Sequence, residues 1–285
     1  MSDPDPINDA GERKTVRREA RGKSGFVQTN GVRLHYLEYG QGETTVVVAP
    51  GITSPAITWE FVAEELALDA RVLVLDIRGR GMSDVPPTGY ALVDYAADLA
   101  GFIAAVGGAR PVVLGHSMGA RIAVAMGALH PGVAGSFILA DPPLTGPGRA
   151  DYPTPLEAFR TQLHQAYAGT TAQEVLASYP RWPEREAQIR AEWLATCDEN
   201  AIVETWNHFH DEDFFELWRA VASPILFIYG QESPVITPEG LAEVVADNPE
   251  VQVVGIPGAG HMIPWENLPD FLAAVRSFVG VAKRP

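Results

Sequence analysis

Hydrophobic positions along this chain follow two rhythms. The stretch RLHYLEYG at 33–40 alternates apolar and polar side chains, the period of a strand with one buried face. TTVVVAP at 44–50, RVLVLDI at 71–77, PVVLGH at 111–116 and GSFILAD at 135–141 are short, continuous and rich in β-branched residues. Such runs suit strands covered on both faces by helices, as in a parallel sheet. Helical periodicity separates them, around 59–68, 90–106 and 118–129. PILFIYG at 224–230 and VQVVGIPG at 251–258 resume the strand–helix rhythm after a gap. That gap carries helical stretches, prolines and aromatic residues but no convincing strand. The pattern predicts an α/β protein with a sheet core over 25–141 and 223–285, interrupted by a helical cap over 142–222. The polar, mixed-charge residues 1–24 read as a disordered tail.

Composition narrows the partners. A formal charge of -15 disfavours nucleic acid and anionic membranes. It also means that an anionic substrate needs a local basic pocket. No apolar run has the length of a membrane span, and the N-terminus lacks the apolar core of a signal peptide, so a cytoplasmic protein is expected. The single cysteine, Cys197, excludes an internal disulfide and offers no metal cluster. Oligomeric state leaves no trace in the sequence.

Chemistry enters with GHSMG at 115–119, between a strand pattern and the helix pattern ARIAVAMGALH. That is the setting of a nucleophile elbow, whose tight turn requires near-absent side chains at Gly115 and Gly119 and presents Ser117 at a helix N-terminus. A serine needs a base. Of seven histidines, His35 lies in an early strand, His116 sits inside the elbow, His130 ends the following helix, and His164, His208 and His210 belong to the insertion. His261, in the loop GIPGAGHMIPWENL after the last strand, falls at the sheet edge where Ser117 also stands. The acid is less obvious. In LFIYGQESPVITP the position where a strand-end acid would be expected, three residues after Gly230, is Ser233. Glu232 is adjacent, and Asp141 ends the strand that follows the elbow helix. Position favours Asp141 and leaves Glu232 open. Backbone N–H groups of Ile52 and Met118 are the expected oxyanion donors.

VVVAPG, LDIRGRGMSD, VVLGHSMGA and PGAGH, in that order, resemble the markers of the α/β-hydrolase family. The resemblance implies a mostly parallel eight-stranded sheet flanked by helices, with a helical cap. PGITSPAITWEFVAE, DPPLTGPGR, RAEWL and AGHMIPW extend it to the amide-hydrolysing members found in bacterial breakdown of nicotinate and pyridoxine. In those members the acid follows the strand after the elbow, which falls on Asp141. The usual histidine before the oxyanion glycine is Pro50 here, as in those members. The resemblance implies a small anionic substrate, an N-formyl amide of an unsaturated acid, cleaved without metal or organic cofactor. Arg149, Arg121 and Arg190 are the candidates to hold its carboxylate, Arg149 first, with His210 as a further donor. Related amide, ester or enol-lactone hydrolysis would use the same triad, and a non-catalytic receptor on the same fold would leave it intact. Ser117 excludes the dehalogenase mechanism, which needs an acid at the elbow.

Overall fold

The computed structural model describes residues 17–222 and 224–282. An antiparallel pair opens it, β1 (Lys23–Thr29) and β2 (Val32–Tyr39). β3 (Thr45–Ala49), α1 (Glu60–Leu66), β4 (Arg71–Leu75), α2 (Leu92–Phe102), β5 (Val112–His116), α3 (Met118–Leu129) and β6 (Ser136–Ala140) follow. Next come α4 (Leu156–Tyr167), α5 (Ala172–Ser178), α6 (Glu184–Trp193), α7 (Glu199–Asp211) and α8 (Phe214–Trp218). The chain then returns to the sheet with β7 (Ile225–Gly230), α9 (Pro238–Asp247), β8 (Gln252–Ile256), α10 (Ile263–Glu266) and α11 (Leu268–Ala282).

The eight strands form one sheet in the order β1-β2-β4-β3-β5-β6-β7-β8. The pairings from β4 to β8 are parallel, and β2 runs against both of its neighbours. β3, β5 and β6 are almost wholly buried, as their continuous apolar runs require, and two clusters of core side chains cover the sheet's faces. Register aligns the strand ends that matter. His116 lies opposite Ala140, so Ser117 and Asp141 leave adjacent strands side by side. Gly230 lies opposite Ile256, which brings the loops after β7 and β8 to the same edge. Local signals agree where helices begin. Thr237 Oγ1 caps α9 at Gly240 N–H with Pro238 in its first turn, and Asp198 caps α7 at Ala201 N–H.

One expectation about boundaries changes. Residues 1–16 of the expected tail lie outside the described residues. Residues 17–24, however, are tied down: Arg18 N–H donates to Glu192, Arg21 N–H donates to Glu60, and β1 begins at Lys23. β1 escaped the periodicity because it is an edge strand in which Val27 alone is buried. α8, inside the segment expected to be cap, packs on α3 and α9. It lies in the connection between β6 and β7, which are parallel neighbours in the sheet. α4 to α7 pack largely on one another and on the turn before α1.

Candidate functional site

Ser117 stands between β5 and α3 with φ 54 and ψ -120, a left-handed conformation that is strained for a residue with a side chain. Ser117 N–H donates to Ala140 O at 2.8 Å, tying the start of the turn to the end of β6. A Cβ at Gly119 would collide with the carbonyl oxygens of Ala49 and Pro50, and one at Gly115 with that of Gly119. Strand and helix therefore approach as closely as they do only because both residues are glycine. At the next strand end Asp141 also has a left-handed φ, 51, which aspartate tolerates better than most residues.

Three side chains form one hydrogen-bonded chain. Ser117 O–H donates to His261 Nε2 at 3.0 Å, and His261 Nδ1–H donates to Asp141 Oδ2 at 2.8 Å. Asp141 is fully buried and accepts two further bonds, from Gly230 N–H to Oδ1 at 3.1 Å and from Ser233 O–H to Oδ2 at 2.5 Å. The residue standing where an acid was first sought thus braces the acid on the neighbouring strand. Glu232 points elsewhere. Its side chain is 57% exposed and pairs with Arg181 at 2.7 Å. The His261 loop is pinned by Arg181 Nη1–H donating to Gly258 O, Gly260 N–H donating to Glu266 and Glu232 N–H donating to Ala259 O.

His116 supports the same loop, Nε2–H donating to His261 O at 2.9 Å. Burial, reinforced by the nearby His261, pushes the His116 imidazole down to about 3, so it is neutral at neutral pH. Its Nδ1 has no hydrogen-bond partner among the described residues. The backbone N–H groups of Ile52 and Met118 likewise meet no protein acceptor among the described residues.

A second Ser–His–Asp chain exists: Ser24 Oγ lies 2.8 Å from His35 Nε2, and His35 Nδ1 lies 2.6 Å from Asp76 Oδ2. Ser24 sits within β1, paired with Leu37, and no helix starts beside it. Asp76 is occupied in holding Ala56 N–H and Met82 N–H, so this chain braces the loops after β3 and β4.

Ser117 and His261 open into a cavity of about 150 Å³ walled by Ile52, Thr53, Tyr152, Gln162, Tyr179 and Arg190 among others. The four candidates for holding a carboxylate separate here. Arg190 is 4% exposed, donates to Thr53 O, Thr53 Oγ1 and Gln162 Oε1, and has no carboxylate partner among the described residues. Arg149, the first choice, is spent elsewhere: it forks onto Glu243 at 2.8 Å twice, reaches Asp213 at 3.2 Å and lies over Phe215. Arg121 is buried as a strut, donating to Pro143 O, Thr145 O, Thr145 Oγ1 and Glu212 O. His210 Nδ1–H donates to Trp206 O outside the cavity. The partner of Arg149, Glu243, is remote in sequence, so this pairing is invisible there. Tyr152 was not singled out from sequence; its hydroxyl lies 3.3 Å from His261 Nε2. Only the fold of the loop after β6 brings it there.

Among the described residues no group of three or more His, Cys, Asp or Glu side chains is placed to hold a metal ion. No helix among them is long and apolar enough to cross a membrane.

An alpha/beta hydrolase fold family matches residues 44–268. The chain is 41% identical over 256 residues to an N-formylmaleamate deformylase from Pseudomonas putida, spanning 90% of this chain and 96% of that protein. It is 28% identical over 258 residues to a 2-(acetamidomethylene)succinate hydrolase from Mesorhizobium japonicum, spanning 87% and 92% respectively. The crystal structure of an N-formylmaleamic acid deformylase from Pseudomonas putida S16 superposes with a TM-score of 0.85 at 38% identity, covering 89% of this chain and all of that one.

Proposed function

Because the chain belongs to the α/β-hydrolase fold family and has a deformylase relative, we propose that it hydrolyses the N-formyl amide bond of N-formylmaleamate, giving maleamate and formate. The observation that carries this reading is the conjunction of the Asp141–His261–Ser117 chain with a buried Arg190, free of any carboxylate partner among the described residues, in one cavity. A buried cation without a counter-charge is costly, and an anionic ligand relieves that cost.

Ser117 Oγ attacks the formyl carbon while His261 Nε2 takes its proton. Asp141 holds the imidazole with Nδ1 protonated and stabilises the imidazolium. Ile52 and Met118 N–H groups receive the developing oxyanion. The C–N bond then breaks, and His261 returns the proton to the nitrogen. Water, deprotonated by His261, hydrolyses the formyl ester to formate. Arg190, presented by Thr53 and Gln162, holds the substrate carboxylate at the far wall. The cavity volume, about 150 Å³, suits a small acid. Assignment of residues 142–222 largely to a cap, a cytoplasmic location and a place in nicotinate breakdown belong to the same proposal.

The test is turnover by purified protein of N-formylmaleamate, 2-(acetamidomethylene)succinate and p-nitrophenyl acetate, measured side by side. Preference for the first, with formate released, is expected. Fast turnover of the aryl ester alone would overturn the substrate assignment and leave a general esterase.

A further inference from the structure

Among the described residues, Tyr152 is the one side chain in the cavity, besides Ser117, whose polar atom reaches His261 Nε2, the nitrogen that accepts from Ser117. Its ring is clamped by Phe159, Phe209 and His261 at centroid distances of 6.3, 5.4 and 6.2 Å. Packing of that kind is met equally by phenylalanine, so the ring alone does not account for the hydroxyl. Nor is the hydroxyl needed to orient His261, which is fixed through Nδ1 by Asp141 and through its carbonyl by His116. His261 Nε2 already accepts from Ser117 at the shorter distance of 3.0 Å, against 3.3 Å for Tyr152. The Tyr152 hydroxyl, which also hydrogen-bonds around Ser117 and Thr154, stands at the reacting end of the cavity, and a hydroxyl rotor can turn to an arriving acceptor.

We propose that Tyr152 is a catalytic residue: its O–H donates a hydrogen bond to the acyl oxygen conjugated with the departing nitrogen while the C–N bond breaks. His261 Nε2 must lie next to that nitrogen to protonate it, and the conjugated oxygen is two bonds away. A donor within 3.3 Å of Nε2 therefore reaches it. The balance is simple. Ser117 Oγ bonds to the acyl carbon, the C–N electron pair passes to nitrogen and is shared with the second carbonyl, and the proton from Ser117 travels through His261 to nitrogen. Tyr152 keeps its own proton throughout. Burial raises the Tyr152 phenol above its ordinary range, against the lowering effect of hydrogen bonds involving Ser117 and Thr154, so it remains a donor at working pH. This role makes the site selective for a leaving amide that carries an acyl group. The role rests on the proposed amide hydrolysis, since it needs a leaving amide that carries an acyl group.

The experiment compares wild type with Tyr152→Phe on N-formylmaleamate and on p-nitrophenyl, phenyl and p-methoxyphenyl acetates. The expected loss in kcat/KM on N-formylmaleamate is about a hundredfold, the size seen when one donor to a developing charge is removed. The loss on p-nitrophenyl acetate, whose leaving group carries no acyl oxygen, should be at least tenfold smaller. Phenyl and p-methoxyphenyl acetates, which lack that oxygen too, should lose no more than p-nitrophenyl acetate does. Equal losses on every substrate, or losses below about threefold, would overturn the proposal. If wild type hydrolyses the aryl esters but not N-formylmaleamate, the substrate assignment fails and the same comparison between diacetamide, whose leaving amide carries an acyl group, and p-nitrophenyl acetate decides on Tyr152. Inertness toward every substrate would sink both, since the role requires acyl transfer at Ser117. Thermal unfolding checks that the variant folds. If it does not, protein carrying 3-fluorotyrosine at position 152, a more acidic donor, should change kcat/KM on N-formylmaleamate by a larger factor than on p-nitrophenyl acetate, and equal changes overturn the role.

Discussion

Replacing Asp141 by asparagine separates the two candidate acids. Asparagine tolerates the left-handed φ of 51 and nearly preserves the shape, so the backbone should hold. Its hydrogen bonds cannot all survive. The carboxylate faces three donors, Gly230 N–H on Oδ1 and both Ser233 O–H and His261 Nδ1–H on Oδ2. An amide offers one acceptor oxygen and sets an NH₂ in the other position. With the oxygen toward His261, the NH₂ meets Gly230 N–H, a buried mismatch of about 1–3 kcal/mol. With the NH₂ toward His261, that histidine must carry its proton on Nε2 and can no longer accept from Ser117. Either way the charge that stabilises the imidazolium is lost. The expected fall in kcat is about ten-thousandfold, or about 5–6 kcal/mol of transition-state stabilisation. Glu232→Gln should change kcat less than about twofold, because it breaks only an exposed pair with Arg181. Both variants are assayed for formate release, with thermal unfolding as the check on folding. A nearly normal Asp141→Asn beside a crippled Glu232→Gln would refute the assignment; two crippled variants would mean the acids share the role.

Arg190→Gln should raise KM for N-formylmaleamate about ten- to a hundredfold with a smaller change in kcat, as loss of a charged ground-state contact does. Arg149→Ala, which breaks pairs outside the cavity, should leave KM within about threefold, and the reverse ranking would contradict the placement of the carboxylate. His116 has a folded value of about 3 against an ordinary 6.5, so the unfolded chain binds its proton more readily. Its contribution to stability is present above the unfolded value and fades as pH falls from there toward 3. Wild type should therefore lose about 2 kcal/mol more than His116→Gln between pH 7 and pH 5 in urea unfolding, and parallel losses would show that His116 is not buried neutral.

How much of this was legible beforehand depended on range. The elbow was legible because Gly115, Ser117 and Gly119 act within one turn, and steric need is written locally. His261 and Asp141 were legible as strand-end positions, since a parallel sheet gathers those ends at one edge. The choice among Arg149, Arg121 and Arg190 was not legible. Each is a lone arginine in sequence, and what distinguishes them is the company each keeps: Glu243 for Arg149, backbone carbonyls for Arg121, and Thr53 and Gln162 for Arg190. Tyr152 and Ser233 were missed as partners for the same reason. Their significance lies in contacts with His261 and Asp141 that span 109 and 92 residues. β1 was missed because an exposed edge strand carries almost no apolar signal.

The central claim is that Ser117 performs acyl transfer from an N-formyl amide. It is tested most directly by following formate and maleamate release from N-formylmaleamate by wild type and by Ser117→Ala, whose alanine fits the elbow. Wild type should release the two products in equal amounts, and Ser117→Ala should be slower by several orders of magnitude with its fold intact. A Ser117→Ala protein retaining more than about a tenth of wild-type turnover would contradict the account.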